Sequence, residues 1–155
     1  MVDLASLLDR GCIILDLKAK KKRDAINELV YCLHQEGRIT EPEEVATSLL
    51  QREELSSTGI GHGIAVPHVL TGKTAETQVA LGMSRTGIPY QSIDGRPAHL
   101  VFLILGPEGA EYAHLQLLSR LARFLNDDAF RRRLLEADHE EKVVELFRKK
   151  EKGKI

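Results

Sequence analysis

Apolar residues recur at helical spacing in several segments of the chain. Spacings of three and four residues predict helices near residues 2–8 and 25–33, from about 42 to 54, and around 114–125, 128–136 and 139–149. Gly11 and Gly37 are predicted to end the first two helices, since glycine is common just past a helix C-terminus. Thr40 and Pro42 predict the start of the third helix, with a capping box and an early proline.

Three shorter segments have the pattern of β-strands. Residues 12–17 are mostly apolar, residues 79–84 alternate large apolar with small side chains, and residues 100–105 are apolar at every position. A strand that is apolar on both faces is typical of a sheet centre covered by helices on both sides. A tight turn is predicted at Asp94–Gly95, and this connection is too short for a parallel crossover. The pattern therefore predicts an α/β protein: a single domain with a mixed β-sheet flanked by helices on both faces.

Composition narrows the possible partners. The chain has 155 residues, 22 basic and 23 acidic, with a net charge of −1, so neither a nucleic-acid partner nor direct membrane insertion is expected. Cys12 and Cys32 lie in neither a CxxC nor a zinc spacing, and residues 1–16 lack the organisation of a signal peptide. We therefore expect a cytoplasmic protein with both thiols packed as small apolar groups. Residues 1–150 form the expected domain, and the lysine-rich stretch 151–155 is predicted to be disordered.

The segment 56–68, SSTGIGHGIAVPH, carries the strongest candidate chemistry. Glycines allow a backbone to turn with positive φ, and successive N–H groups beside hydroxyls can line a hollow that binds an anion. The candidate phosphate-binding residues are Ser57, Thr58, Gly59 and Gly61. His68, at the end of a short apolar run, would stand at the rim of this hollow, where an imidazole could carry a phosphoryl group. The alternative is a turn and a strand with an exposed histidine that has no chemical role.

His114 and Arg52 each allow two interpretations. His114 shares the inward face of its helix with Leu117 and Leu118 but lies in the first turn, where free N–H groups favour an incoming phosphate. It is either a satisfied core histidine or part of a site. Arg52 is either a surface residue at a helix end or a fork donor aimed at a phosphate near the glycine-rich segment. The functional interpretations require all three side chains to converge.

Several ordered motifs resemble one known family over essentially the whole chain. They are RE at 52–53, STGIG at 57–61, GIAVPH at 63–68, IDGRP at 93–97, the strand at 100–105 and HLQLL at 114–118. The resemblance is to the enzyme IIA domain of the fructose/mannitol type (type 2) in the bacterial phosphoenolpyruvate-dependent phosphotransferase system (PTS). It implies that an HPr-like phosphocarrier protein phosphorylates His68 on Nε2, that Nδ1–H is held by a backbone acceptor, that His114 assists and that Arg52 is a cation near the phosphate. It also implies that neither a cofactor nor a metal is needed.

Two positions stand apart from the motif. Many family members have a small residue where this chain has Val69, and a β-branched side chain there is expected to narrow the approach to His68. His62 occupies a variable family position and is expected to be exposed.

Three functions are compatible with the resemblance. The first is a nitrogen-regulatory IIA protein that signals to regulatory target proteins, and the detailed motif pattern and free-standing length favour it. The second is a sugar-specific IIA component that passes phosphate to a IIB domain during uptake of a fructose- or mannitol-like sugar. The third is an interaction domain without catalysis, which the joint presence of His68, His114 and Arg52 makes less favourable.

Overall fold

The computed structural model describes residues 3–155, so the predicted helix start at Val2 lies outside the described residues. Within residues 3–155 there are six helices and six strands. In chain order they are α1 (Leu4–Arg10), β1 (Cys12–Ile14), α2 (Lys22–Gln35), α3 (Pro42–Leu55), β2 (Gly59–Gly61), β3 (Ile64–Ala65), β4 (His68–Thr71), β5 (Gln78–Ile88), β6 (Ala98–Pro107), α4 (Glu111–Leu125), α5 (Asp128–Glu136) and α6 (Glu140–Glu151). None of the helices in this part of the chain has the length and apolar character that a bilayer crossing requires.

Strand β6 lies at the centre of one mixed sheet. The strand order is β1-β5-β6-β3-β2, and β4 pairs with β6 beyond the end of β3. β5 and β6 are antiparallel, as the short connection at 94–95 predicts, whereas β3 and β4 both run parallel to β6. The predicted single-domain α/β fold with a mixed sheet is confirmed.

The two faces of β6 pack against different helices. Alternate residues Leu100, Phe102 and Ile104 belong to a core formed with α1, α4, α5 and α6, which we call the α4 face. The residues between them, Val101, Leu103 and Leu105, belong to a core formed with α2 and α3, which we call the α2 face. All six side chains are fully buried, which explains why this strand is apolar at every position.

The capping box predicted at the start of α3 is wrong. The N-cap residue is Glu41, in a left-handed conformation (φ 52°) with no side-chain cap, and Pro42 follows in the first turn as predicted. The hydroxyl of Thr40 donates instead to the carbonyl of Lys73, 3.4 Å away. Contact with the turn after β4 therefore outcompetes the local cap, which sequence pattern alone could not reveal.

The first strand and the last residues also differ from the pattern. β1 covers only Cys12–Ile14, although the N–H of Leu17 still donates to the carbonyl of Met83 in β5 at 2.8 Å.

At the C-terminal end of the chain, the predicted tail 151–155 begins with the last residue of α6. The N–H of Lys154 donates to the carbonyl of Lys149 at 2.9 Å, and Ile155 packs partly buried against the α4 face. The structure therefore places these last residues against the domain.

Candidate functional site

The glycine-rich segment folds into a small hairpin. β2 and β3 pair antiparallel, and the chain reverses through Gly61 (φ 92°), His62 (φ 57°) and Gly63 (φ 78°). Positive φ at three successive residues explains why glycines flank this turn. Asp94 fixes it from the neighbouring loop: one carboxylate oxygen accepts the N–H of His62 at 2.9 Å and the other accepts the N–H of Arg96 at 3.1 Å. These backbone donors lower the pKa of Asp94. Two sequence motifs, at 57–61 and 93–97, thus meet here.

His68 is held by the backbone of its own chain segment. It is the first residue of β4 and pairs with Ile104 of β6, whose N–H donates to the carbonyl of Pro67 at 2.9 Å. The ring is half-buried, and its Nδ1 lies 2.7 Å from the carbonyl oxygen of Val66. A carbonyl oxygen can only accept, so Nδ1 carries the hydrogen in this contact. In the neutral ring the lone pair is therefore on Nε2.

His114 lies beside His68 on the α4 face. It occupies the first turn of α4, with ring centroids 5.5 Å apart and the ring planes inclined by 46°. The approach requires Gly106 in β6, because a Cβ atom there would lie 2.9 Å from Nδ1 of His114. His114 is only 8% exposed, yet neither ring nitrogen has a hydrogen-bond partner among residues 3–155. It is thus no satisfied core histidine, and it offers an unused donor and acceptor next to His68.

Burial makes protonation of His114 unfavourable. Desolvation lowers its pKa below the ordinary value of 6.5, and the charge of His68 lowers it further. Just below pH 6.5 the unfolded chain therefore binds more protons at this position than the folded protein does. The consequence is that stability is lost as the pH falls through 6.5, until His114 is protonated in the folded state too.

We expect His114→Leu to remove this part of the pH dependence. Between pH 7.5 and about 5, the unfolding free energy of the wild type should fall more steeply than that of the variant. Urea unfolding of both proteins across this range measures the difference, which includes the interaction of His114 with His68. Parallel curves would contradict a neutral, buried His114.

Arg52 lies near the hairpin but is turned toward the backbone. It is in the last turn of α3, and its Nη1 donates to the carbonyl of Ser56 at 3.1 Å. No hydrogen bond within residues 3–155 joins Arg52 to either His68 or His114. The structure therefore places His68 and His114 side by side, and Arg52 holds the segment that leads into β2.

Protein partners already bind polar groups of three residues predicted to line an anion hollow, Ser57, Thr58 and Gly59. The Ser57 hydroxyl donates to the carbonyl of Tyr90 at 2.7 Å and accepts the N–H of Gly59 at 3.1 Å. Thr58 donates its N–H to Glu53 Oε1 at 3.1 Å and its hydroxyl to Glu53 Oε2. Sequence reasoning did not single out Glu53 or Tyr90. The only signal was that Glu53 follows Arg52 within a family motif, and nothing in the sequence marks this carboxylate as buried.

Val69 does not face the same side of the sheet as His68. It pairs with Leu105 and packs against the α2 face, whereas His68 lies beside His114 on the α4 face. Successive residues of a strand point to opposite faces, so the expected narrowing of the approach to His68 is wrong. His62 is exposed in the hairpin turn, as expected.

Comparison with known proteins matches one family over nearly the whole chain. The family profile described as "Phosphoenolpyruvate-dependent sugar phosphotransferase system, EIIA 2" matches residues 6–150. A "PTS system fructose-specific EIIABC component" from Bacillus subtilis is 39% identical over 149 residues, covering 96% of this chain. The chain spans only 24% of that relative's length.

Two further matches are to proteins of nearly the same length. A "Nitrogen regulatory protein" from Bradyrhizobium diazoefficiens is 37% identical over 136 residues, which are 84% of this chain and 85% of the relative. Among solved structures, the nitrogen regulatory protein IIA-Ntr from Neisseria meningitidis superimposes with a TM-score of 0.86 and 29% identity. That superposition covers 93% of this chain and 98% of the other.

Proposed function

The chain belongs to the type-2 EIIA family of the phosphoenolpyruvate-dependent sugar phosphotransferase system, and we propose that it carries a phosphoryl group on Nε2 of His68. The supporting observation is the 2.7 Å contact between His68 Nδ1 and the carbonyl of Val66. Free histidine can carry its hydrogen on either nitrogen, whereas this contact selects the form whose Nε2 is a nucleophile. His68 is only partly buried, and no hydrogen bond within residues 3–155 uses its Nε2.

The transfer runs from one imidazole to another. An HPr-like phosphocarrier presents its phosphohistidine, and the lone pair of His68 Nε2 attacks phosphorus in line. The new P–N bond forms as the donor's P–N bond breaks, and the bonding electron pair returns to the donor imidazole. Positive charge develops on the His68 ring, where the Nδ1–H to Val66 hydrogen bond stabilises it. A loose phosphoryl transition state requires mainly alignment and charge stabilisation.

His114 and α4 would stabilise the transferring group. A ring N–H of His114 has no other partner among the described residues, and its ring lies 5.5 Å from that of His68. The N-cap residue of α4, Ala110, provides no side-chain cap, so the first N–H groups of the helix that carries His114 keep the capacity to bind an anion. Arg52 is assigned as the cation near the phosphate, since its bond to Ser56 uses one of the five N–H donors of the guanidinium and leaves others for a phosphoryl oxygen. The predicted phosphate ligands also include Ser57, Thr58, Gly59 and Gly61. To bind phosphate through their hydroxyls, Ser57 and Thr58 would have to release Tyr90 and Glu53.

A protein partner has an apolar surface available next to the site. Tyr112 and Leu115 flank His114 on α4 and are 74% and 62% exposed. Large apolar side chains that are exposed together commonly mark contacts with other proteins. We assign this surface to the phosphocarrier that delivers the phosphoryl group.

Two roles for the phosphate follow from different relatives. The nitrogen-regulatory role, in which phosphorylation changes the binding of regulatory target proteins, is the first candidate. The full-length likeness to IIA-Ntr, with a TM-score of 0.86, favours it. The sugar-specific role, in which a IIB domain receives the phosphate, is the second. The 39% identity to a fructose-specific EIIABC component favours that alternative.

One experiment tests both levels of the proposal. The protein is loaded with phosphate from purified phosphorylated carrier and examined by ³¹P NMR, which distinguishes phosphate on Nε2 from phosphate on Nδ1. We expect a single Nε2-phosphohistidine, located at His68 by mass spectrometry. Phosphate on Nδ1 or on another residue would contradict the proposed chemistry.

A IIB domain is then added to the loaded protein. Retention of the phosphate, with altered binding to a target protein, is the outcome expected for the regulatory role. Rapid movement of the phosphate to the IIB domain would instead establish the sugar-specific role.

A further inference from the structure

Behind the hairpin, a buried carboxylate collects several donors. Glu53, in the last turn of α3, is 7% exposed. Its Oε1 accepts the N–H of Thr58 and the ammonium of Lys22, each at 3.1 Å, and its Oε2 accepts the hydroxyl of Thr58. Every neighbour in this set donates, which suits an acceptor-only side chain.

The groups around Glu53 come from three separate parts of the chain. Lys22 from α2 has its Nζ 4.4 Å from the ring centroid of Tyr90 and 3.3 Å from the side-chain oxygen of Gln91. The hydroxyl of the fully buried Tyr90 lies 3.3 Å from that of Thr58. Burial, and then the charge of Glu53, raise the pKa of Tyr90, so the phenol stays protonated. A buried ion pair adds little net stability compared with apolar residues in the same place. The main contribution of this network is therefore to fix the positions of its side chains.

From Glu53, hydrogen bonds lead step by step to His68. The carboxylate fixes Thr58 through two donors. The carbonyl of Thr58 accepts the N–H of Val66 at 3.0 Å. The carbonyl of Val66 in turn accepts Nδ1–H of His68 at 2.7 Å. Because each link is a direct contact, a displacement of Thr58 moves the acceptor that selects the tautomer of His68.

We propose that Glu53 is a positioning residue for His68, acting through Thr58 and Val66 to keep the hydrogen on Nδ1 and the lone pair on Nε2. This inference rests on the proposed role of His68 as the phosphate carrier. Arg52, the preceding residue, also holds this segment, through the carbonyl of Ser56. Residues 56–58 are therefore held by hydrogen bonds to a cation, Arg52, and to an anion, Glu53.

The test compares Glu53→Ala with Glu53→Gln in the unphosphorylated protein. Long-range ¹H–¹⁵N NMR at neutral pH measures the tautomer of His68 directly. We expect one Nδ1–H tautomer in the wild type and a mixture in Glu53→Ala, with phosphotransfer slowed about ten- to hundredfold, as misplaced catalytic groups are. Glu53→Gln keeps one acceptor oxygen for the N–H of Thr58, and its NH2 group can donate to the Thr58 hydroxyl, which then accepts, so this variant should restore most of the Nδ1–H form.

A matched control separates positioning from stability. Glu28, like Glu53, accepts from the backbone, here from the N–H groups of Lys18 and Ala19, but within residues 3–155 no comparable series of hydrogen bonds leads from it to His68. Glu28→Ala should lower the melting temperature without changing the tautomer or the transfer rate. If Glu53→Ala behaves in the same way, the inference is wrong.

A second variant covers the case in which Glu53→Ala does not fold. Thr58→Val removes only the hydroxyl and keeps the N–H contact to Glu53, so an intermediate shift of tautomer is expected. An unchanged tautomer in this variant overturns the inference. The tautomer is measured without phosphate, so it tests the role of Glu53 separately from the role of His68 as the phosphate carrier. A mixed tautomer in Glu53→Ala, together with phosphate on a residue other than His68 in the wild type, would overturn only the proposed function.

Discussion

Replacement of His68 with alanine is expected to abolish phosphate uptake from a phosphorylated HPr-like carrier. The variant loses the nucleophile, and His114 cannot take over, because it is 8% exposed on the inward side of α4. β4 should survive the change, since its pairing with β6 uses backbone groups. Incorporation of acid-labile phosphate, measured over time with purified carrier, provides the test.

The matched control for this variant is His62→Asn. His62 is exposed in the hairpin turn with φ 57°, a conformation that asparagine tolerates. This variant should label at the wild-type rate, which excludes a general effect of removing a histidine from the segment. Acid-labile phosphate on His68→Ala would remove His68 as the carrying residue.

Replacement of His114 with leucine is expected to slow transfer roughly a hundredfold, the scale on which lost acid–base or electrostatic groups act. Leucine is close to histidine in volume but has no group that could donate to a phosphoryl oxygen. Initial rates of phosphate uptake at saturating and limiting carrier distinguish a defect in transfer from one in docking. We expect the defect at saturation, because His114 is buried beneath the surface that a partner would contact.

The same leucine variant should be at least as stable as the wild type. Two buried ring nitrogens without partners among the described residues disfavour folding, typically by ~1–3 kcal/mol for each such group in mutational data. Urea unfolding at pH 7.5 measures the change. A large loss of stability would mean that His114 is there for packing. Slower transfer with unchanged or higher stability would show that His114 serves the transfer reaction and does not stabilise the fold.

Local periodicity was enough to predict the layers of the fold. The strand at 100–105 is apolar at every position because helices cover both of its faces. This burial can therefore be inferred from the residues of the strand alone. β2 and β3 are three and two residues long, too short for a period to develop. Their turn depends on Asp94 from a distant loop, so the hairpin could not be derived from residues 56–68 alone.

The candidate site was predictable as a set of residues but only partly as an arrangement. The resemblance named His68 and His114, and the parallel pairing of β4 with β6 brings them to one face of the sheet. Glu53 escaped notice because its partner Lys22 comes from another helix, so no local pattern pairs the two. Likewise, no local pattern could show that the donors of Thr58 are already used within the protein.

The anchoring of His68 in β4 limits how the protein can exchange phosphate. A residue that opens a hydrogen-bonded strand cannot swing between two docking positions as one on a mobile arm could. If His68 is the carrier, the protein that loads it and the protein that unloads it must occupy the same place in turn. Steady-state kinetics should then be of the ping-pong type, and excess spent donor should compete with the recipient.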